Sequence, residues 1–184
     1  KMIELAAKSD VAVVADFGHG LFDNLALSAL ADVPCFMGLN VQTNSSNFGF
    51  NPFTRHTSFD YLCIDTKEAR LALHDRYTAP RDLFLALAAE SKRYFAMTVG
   101  PNGSYLSQDQ IVRHTPAFAD TIVDAIGAGD AFFAITTCLL KTNCEQALIP
   151  FIGNVFAGLK TKIIGNKSSV TKAALLKACE GILK

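Results

Sequence analysis

The chain has 184 residues, of which 50% are hydrophobic and 18% charged, and its 17 basic residues balance its 17 acidic ones. A neutral chain without a cluster of Lys and Arg argues against nucleic acid as a partner, and the lack of an apolar run of about 18 residues argues against a membrane span. The length suffices for one hydrophobic core, so a single domain over residues 1–184 is expected.

Cysteine and histidine usage gives no sign of a disulfide framework or a metal centre. The five cysteines are odd in number, form no Cys-x-x-Cys pair and fall mostly in apolar runs, which is typical of reduced packing thiols. The four histidines show no ligand spacing, so no transition metal is expected. Residues 1–8 carry charges and lack a secretory hydrophobic segment, which favours a cytoplasmic protein.

Strand and helix patterns alternate along the first hundred residues. Strands are predicted at about 11–16, 34–40, 60–64 and 93–99, with helices between them at about 21–31, 66–76 and 80–91. This alternation predicts an α/β protein with a parallel sheet covered by helices. Further along, the pattern predicts an antiparallel pair at about 103–107 and 110–114, and helices at about 128–141, 143–160 and 170–183.

Small residues and an acid precede the first of these last three helices. Gly127 and Gly129 lack a Cβ, so the backbone there can turn tightly and approach a ligand closely. The first amides of a helix have no intrahelical acceptor and, with the helix dipole, favour an anion such as phosphate. Asp130 falls in the first turn, where a carboxylate can accept a proton from a hydroxyl that attacks a phosphoryl group. The same residues also suit an ordinary loop that enters a helix, with Asp130 as a favourable N-terminal charge.

Three other segments allow both a functional and a structural interpretation. Residues 98–103 follow an apolar run and suit either a nucleotide-facing turn or a plain β-turn. Asp65 and Glu68 have the spacing of a helix capping box, and capping leaves a carboxylate oxygen able to hold a metal-bound water. Asn154 suits either a ligand contact or the packing of a helix.

Residues 124–132, Asp-Ala-Ile-Gly-Ala-Gly-Asp-Ala-Phe, resemble the Asp-Thr-x-Gly-Ala-Gly-Asp signature of the ribokinase-like (phosphofructokinase B type) carbohydrate kinases. Ala125 departs from that signature, because the family usually has Thr there. Residues 98–103 are similar to the family's Thr-Leu-Gly-x-x-Gly, and residues 64–69 resemble its Asn-x-x-Glu-Ala with Asp65 in place of Asn. The glycine motif of this sequence does not match the pattern of dinucleotide-binding folds or that of P-loops.

The resemblance implies a three-layer α/β/α fold and a role for each matching residue. Asp130 is implied as the general base, with Gly127, Ala128 and Gly129 lining an anion hole for the transferring phosphoryl group. The implied cofactors are ATP and Mg²⁺, and the metal has no direct protein ligand. The residues implied in binding them are Asp65 and Glu68 near the magnesium and phosphates, Thr98, Gly100 and Gly103 at the nucleotide, and Asn154 close to the adenine.

The first half of the chain brings the resemblance closest to the heptose-phosphate kinases (ADP-heptose synthase) of this family. Residues 16–21, Asp-Phe-Gly-His-Gly-Leu, are similar to their Asp-Tyr-Gly-Lys-Gly segment. Residues 42–52 are rich in uncharged polar side chains, which either bind sugar hydroxyls or form an ordered loop. The predicted substrate contacts are Asp16, His19, Asn51 and Arg55, with His56 beside them.

The resemblance covers only the C-terminal part of the family fold. The N-terminal part, which holds most sugar-recognition residues and the β lid, is therefore expected to be missing, and the chain to bind ATP with little phosphoryl transfer. A sugar substrate is expected, as is association with a second copy, with the missing part or with a fused nucleotidyltransferase domain. Two alternatives stay open: a non-catalytic nucleotide-binding or regulatory module of a larger protein, and a kinase acting on a vitamin or nucleoside.

Overall fold

The computed structural model describes residues 2–91, 93–108, 110–142 and 144–184. They divide into two compact units. Unit 1 comprises the residues up to 98 together with 106–112, and unit 2 comprises residues 99–105 and 113–184. No helix in these described ranges is long and apolar enough to cross a membrane.

The strands of the described residues form one sheet whose order follows the chain, from β1 to β6. They are β1 (Val11–Asp16), β2 (Phe36–Val41), β3 (Tyr61–Asp65), β4 (Tyr94–Thr98), β5 (Ser104–Gln108) and β6 (Ile111–Thr115). All six predicted strands are confirmed, with ends shifted by at most two residues. β1 to β4 pair in parallel, so their carboxyl ends lie at one edge of the sheet.

The helices that the structure describes are α1 (Met2–Ala6), α2 (Asn24–Ala31), α3 (Thr66–Leu73), α4 (Pro80–Glu90), α5 (Ala128–Lys141), α6 (Leu148–Lys160) and α7 (Lys172–Leu183). The six predicted helices are confirmed, α1 was not predicted, and two short 3₁₀ helices also form at Phe53–Arg55 and Gly100–Asn102. Three predicted bounds are wrong. α2 begins late because Asp23 caps it, α3 ends early because His74 adopts a left-handed conformation, and α6 begins at Leu148. Residue 143, the predicted start of α6, lies outside the described residues.

The architecture is the expected three-layer α/β/α arrangement with a mostly parallel sheet. In unit 1 the middle strands β2 to β4 are almost continuously buried, as strands covered on both faces by helices require. The rings of Phe84 in α4 and Phe95 in β4 stack with their centroids 4.9 Å apart and are fully buried. This stacking anchors α4 on the sheet.

In unit 2 the core lies between α5 and α6. Phe132 and Phe133 of α5 are buried, as are Ile149 and Val155 of α6. The helices approach closely at Gly153, where a Cβ would lie 2.7 Å from the ring of Phe132. The start of α5, which carries the glycine signature, is thus attached to a packed helix pair.

Candidate functional site

The turn that precedes α5 is held by the carboxylate of Asp124. One carboxylate oxygen accepts a hydrogen bond from the amide of Ile126 at 2.9 Å, and the other accepts one from the amide of Gly165 at 2.7 Å. These two hydrogen bonds hold the pKa of Asp124 below its ordinary value of 3.8, and the bond from Gly165 has the larger effect. The positive charge of Lys160 lowers this pKa further. Asp124 therefore joins the turn before α5 to the loop after α6.

Gly127 is the residue at which this turn reverses into the helix. Its φ of +78° lies in the left-handed region, which a residue with a side chain rarely adopts. The amide of Ala128 donates to the carbonyl of Ala125 at 3.2 Å, and the amide of Ala131 donates to the carbonyl of Gly127 at 3.0 Å. The tight turn predicted from the glycines is therefore present, immediately before the first turn of α5.

Asp130 lies in that first helical turn and is exposed. A Cβ placed on the neighbouring Gly129 would meet nothing within 4 Å, so there is open space at Gly129. The amides at the start of α5 and the helix dipole make this space favourable for an anion. An exposed acid next to an anion-binding helix end is an arrangement suited to proton abstraction during phosphoryl transfer.

Lys160, the last residue of α6, also contacts this turn and was not among the predicted site residues. Its ammonium group donates to the carbonyl oxygens of Ile126 at 3.2 Å and Gly165 at 2.8 Å. A Cβ on Gly127 would lie 3.5 Å from its Cε. No sequence signal marks Lys160, because a lysine that ends a helix is common and its partners lie 34 and 5 residues away.

The turn at residues 100–103 closes on itself as a short 3₁₀ helix. The amide of Val99 donates to the carbonyl of Gly103 at 2.8 Å. Gly103 has a φ of +89°, and a Cβ there would collide with the carbonyl oxygen of Thr115. Gly100, also left-handed at +52°, has open space around it. Its backbone is therefore accessible to a ligand, while Gly103 is required for packing.

Asn154 joins α6 to the segment that follows β6. Its side-chain amide donates to the carbonyls of Thr115 at 2.9 Å and Pro116 at 3.1 Å, and the residue is buried. The structural interpretation of Asn154 is thus realised, and its proximity to an adenine stays a prediction.

The capping box of α3 forms as predicted. The carboxylate of Asp65 accepts a hydrogen bond from the amide of Glu68 at 2.7 Å, and the carboxylate of Glu68 accepts one from the amide of Asp65 at 2.8 Å. The other oxygen of Glu68 accepts the amide of Thr43 at 3.1 Å. Thr98, at the end of the adjacent strand β4, accepts a hydrogen bond from Thr66 through its carbonyl at 3.1 Å. Asp65 is exposed, so a carboxylate remains accessible at the carboxyl end of β3.

A polar cluster, the β1-end cluster, surrounds the carboxyl end of β1 and consists of Asp16, Asn51, Arg55 and His56. Asp16 Oδ2 and His56 Nε2 lie 2.9 Å apart, and both side chains are 3% exposed. Asn51 donates to the carbonyl of Asp16 at 3.2 Å and accepts from Arg55 at 2.8 Å. Three of the four predicted substrate residues, Asp16, Asn51 and Arg55, are thus brought together, and His56 faces inward to Asp16.

His19 lies beside this cluster and is exposed. Its Nε2 lies 3.3 Å from the side-chain amide of Asn44, which donates to the carbonyl of Phe17 at 2.9 Å. The side chain of Asn47 donates to the same carbonyl at 2.9 Å. The polar segment 42–52 therefore forms an ordered loop that supports the turn after β1.

The chain matches a known family model over more than half of its length. The family model described as pfkB family carbohydrate kinase matches residues 53–168. The bifunctional protein HldE of Geobacter metallireducens is 25% identical over 178 residues. That match covers 94% of this chain but only 36% of the relative, so the chain spans about a third of the curated relative's length.

Solved structures of similar fold are also longer than this chain. A ribokinase of Arabidopsis thaliana, solved with ribose and ATP, matches with a TM-score of 0.77 at 15% identity, over 97% of this chain and 58% of its own. A ribokinase of Thermotoga maritima matches with a TM-score of 0.72 at 16% identity, over 97% and 59%. A nucleoside kinase of Burkholderia thailandensis, solved with inosine, matches with a TM-score of 0.70 at 17% identity, over 96% and 58%.

Proposed function

Because the chain belongs to the pfkB family of carbohydrate kinases, we propose that it supplies the ATP site and the general base for phosphoryl transfer to a hydroxyl of a sugar or sugar phosphate. One observation carries this proposal. The exposed carboxylate of Asp130 stands in the first turn of α5, directly after a turn that Gly127 holds in a left-handed conformation.

The proposed reaction needs a base and a site for the negative charge of the transferring group. Asp130 accepts the proton of the acceptor hydroxyl as its oxygen bonds to the γ-phosphorus, while the bond from that phosphorus to ADP breaks. The amides of Gly127 and Gly129, with the dipole of α5, stabilise the charge on the transferring phosphoryl oxygens, and Ala128 lines the same anion hole. The protein's contribution is therefore position and electrostatics, which dominate this class of reaction.

The remaining predicted residues are proposed to bind Mg-ATP. Gly100 offers accessible backbone for the nucleotide, supported by the turn that Gly103 closes. Mg²⁺ would neutralise charge on the phosphates of ATP. The exposed carboxylate of Asp65, with Glu68 beside it, presents the hard oxygen donors that this ion prefers and would hold the ion through bound water. Within the described residues, the structure groups no three His, Cys, Asp or Glu side chains as a metal site.

A heptose phosphate is the proposed acceptor class. The bifunctional HldE relative and residues 16–21, which resemble a segment of heptose-phosphate kinases, support it. Because the chain spans 36% of that relative, we propose that it works as part of a longer protein, and that alone it binds ATP with little turnover. The proposed location of that protein is the cytoplasm.

The test replaces Asp130 by Asn in the longer protein and measures kinase activity and ATP binding separately. Loss of a general base predicts a fall in kcat of roughly 10²- to 10⁴-fold, with ATP affinity retained. Asp82→Asn serves as the matched control, because Asp82 is an exposed acid in the first turn of α4.

Each outcome separates the proposal from its alternatives. Unchanged behaviour of Asp130→Asn would support a regulatory nucleotide-binding module. An acceptor panel of heptose phosphates, nucleosides and vitamins identifies the substrate class, and turnover of a nucleoside alone would overturn the heptose assignment.

A further inference from the structure

The proposed reaction gives no role to Lys160. Its ammonium group lies between two backbone carbonyls, those of Ile126 and Gly165, at 3.2 and 2.8 Å. These carbonyls belong to two different segments, the turn before α5 and the loop after α6. A single side chain therefore ties the two segments together.

The surroundings of this ammonium group are electrically negative. Lys160 is the last residue of α6, where the helix dipole presents negative charge. Asp124, in the turn before α5, carries a carboxylate that accepts a hydrogen bond from the amide of Gly165 in the loop after α6, and the lysine charge helps to lower the pKa of that carboxyl. Two carbonyl dipoles, a helix C-terminus and a carboxylate together form a site that requires a cation.

The cation acts on the residue that shapes the anion-binding turn. Ile126 immediately precedes Gly127, and a Cβ on Gly127 would lie 3.5 Å from Lys160 Cε and 3.8 Å from Nζ. Fixing the carbonyl of Ile126 fixes the peptide plane that joins it to Gly127. The amides at the start of α5 then point in one direction before any ligand arrives, which is the preorganisation that electrostatic catalysis needs.

We propose that Lys160 is a positioning residue, a built-in cation that holds the Ile126–Gly127 turn in its phosphate-binding form. This inference rests on the proposed function, since it assigns the turn to the phosphoryl group of ATP. The fixed shape of the Ile126–Gly127 turn is a property of the folded chain, whether or not the chain transfers phosphate.

The decisive variant is Lys160→Met, which keeps most of the apolar stem and removes the charge. The matched control is Lys162→Met, because Lys162 lies two residues further on and its ammonium group pairs with Asp120 at 2.7 Å instead of with the carbonyls of Ile126 and Gly165. Without nucleotide, amide hydrogen exchange at residues 124–128 should be faster in Lys160→Met than in the wild type, and unchanged in Lys162→Met. Equal exchange in all three proteins would overturn the proposal.

A second measurement separates positioning from general damage. In the longer protein, Lys160→Met should weaken ATP binding by roughly tenfold or more, since hydrogen bonds to a charged group are lost. Potassium or ammonium chloride should restore part of that affinity by filling the emptied cation site, while tetramethylammonium chloride at the same concentration should not. Wild-type affinity should be the same in the three salts.

The two readouts keep the proposals apart. Faster exchange in Lys160→Met together with no ATP binding by the wild type would retain the positioning role and overturn the proposed function. An affinity loss that no cation restores, with unchanged exchange, would overturn the positioning role and leave the proposed function standing.

Discussion

At the scale of single residues, both carboxylate oxygens of Asp124 are hydrogen-bonded to backbone amides. It accepts amides from Gly165 and Ile126, and those bonds hold its pKa below 3.8. A lowered pKa in the folded state means that the ionised form is stabilised by folding. This contribution is complete above the unfolded pKa and is lost as the pH falls through the folded pKa.

The prediction is that Asp124→Asn lowers the urea midpoint at pH 7, and that its difference from the wild type shrinks between about pH 5 and pH 3. An asparagine has one acceptor oxygen, so at least one of the two amides loses its partner. Urea titrations at pH 7, 5, 4 and 3 measure the effect, with Asp82→Asn as the exposed control. A difference that stays constant across this range would contradict the assignment to ionised Asp124.

Residue contacts were predictable where the partners are close in sequence. The capping box of Asp65 and Glu68 follows from a spacing of three residues, because helix geometry alone brings those groups together. The pairing of Asp16 with His56 spans 40 residues and depends on how the loop after β2 folds back. No local pattern encodes such a return. The hydrogen bond from Lys160 to the carbonyl of Ile126, 34 residues away, was not predicted for the same reason.

At the scale of elements, the contact between α5 and α6 sets the position of the signature turn. Gly153 of α6 faces Phe132 and Thr136 of α5, and a Cβ there would lie 2.7 Å from both side chains. Phe132 is 1% exposed and Thr136 fully buried, so neither can move aside without disturbing the core.

Gly153→Ala is therefore predicted to destabilise the protein by about 1–3 kcal/mol through overpacking, despite the better helix propensity of alanine. Thermal and chemical denaturation measure this change. Gly181→Ala in α7 is the matched control, since a Cβ there meets nothing within 4 Å. The control should gain up to about 1 kcal/mol, and a gain of similar size at Gly153 would show that the helices are not closely packed.

Elements were predicted better than their ends. The six strands and the six longest helices follow from apolar runs and helical periodicity, which reflect burial along each element. Helix ends depend on individual caps, such as Asp23 before α2 and the left-handed His74 after α3. A cap competes with several nearby residues of similar propensity, so the sequence places it only within a few residues.

At the scale of the whole molecule, the chain spans 36% of the HldE relative and 58% of the Arabidopsis ribokinase. In the described residues, β1 ends the sheet, and no strand pairs with its outer edge. The apolar side chains near this edge are exposed, with Val13 at 46%, Phe17 at 42% and Leu21 at 73%. An open strand edge next to exposed apolar side chains is prone to pair with another chain.

The 184-residue chain alone is therefore predicted to self-associate through β1, with a sedimentation coefficient that rises with protein concentration. Val13→Lys should shift the protein toward the monomer, because a charged side chain on an edge strand opposes pairing with a second copy. Tyr77→Lys is the matched control, since Tyr77 is 88% exposed but lies between α3 and α4, away from the sheet edge. Analytical ultracentrifugation of the three proteins tests this, and a wild type that is monomeric at every concentration would refute it. Self-association that Tyr77→Lys disrupts and Val13→Lys does not would assign the contact to another surface.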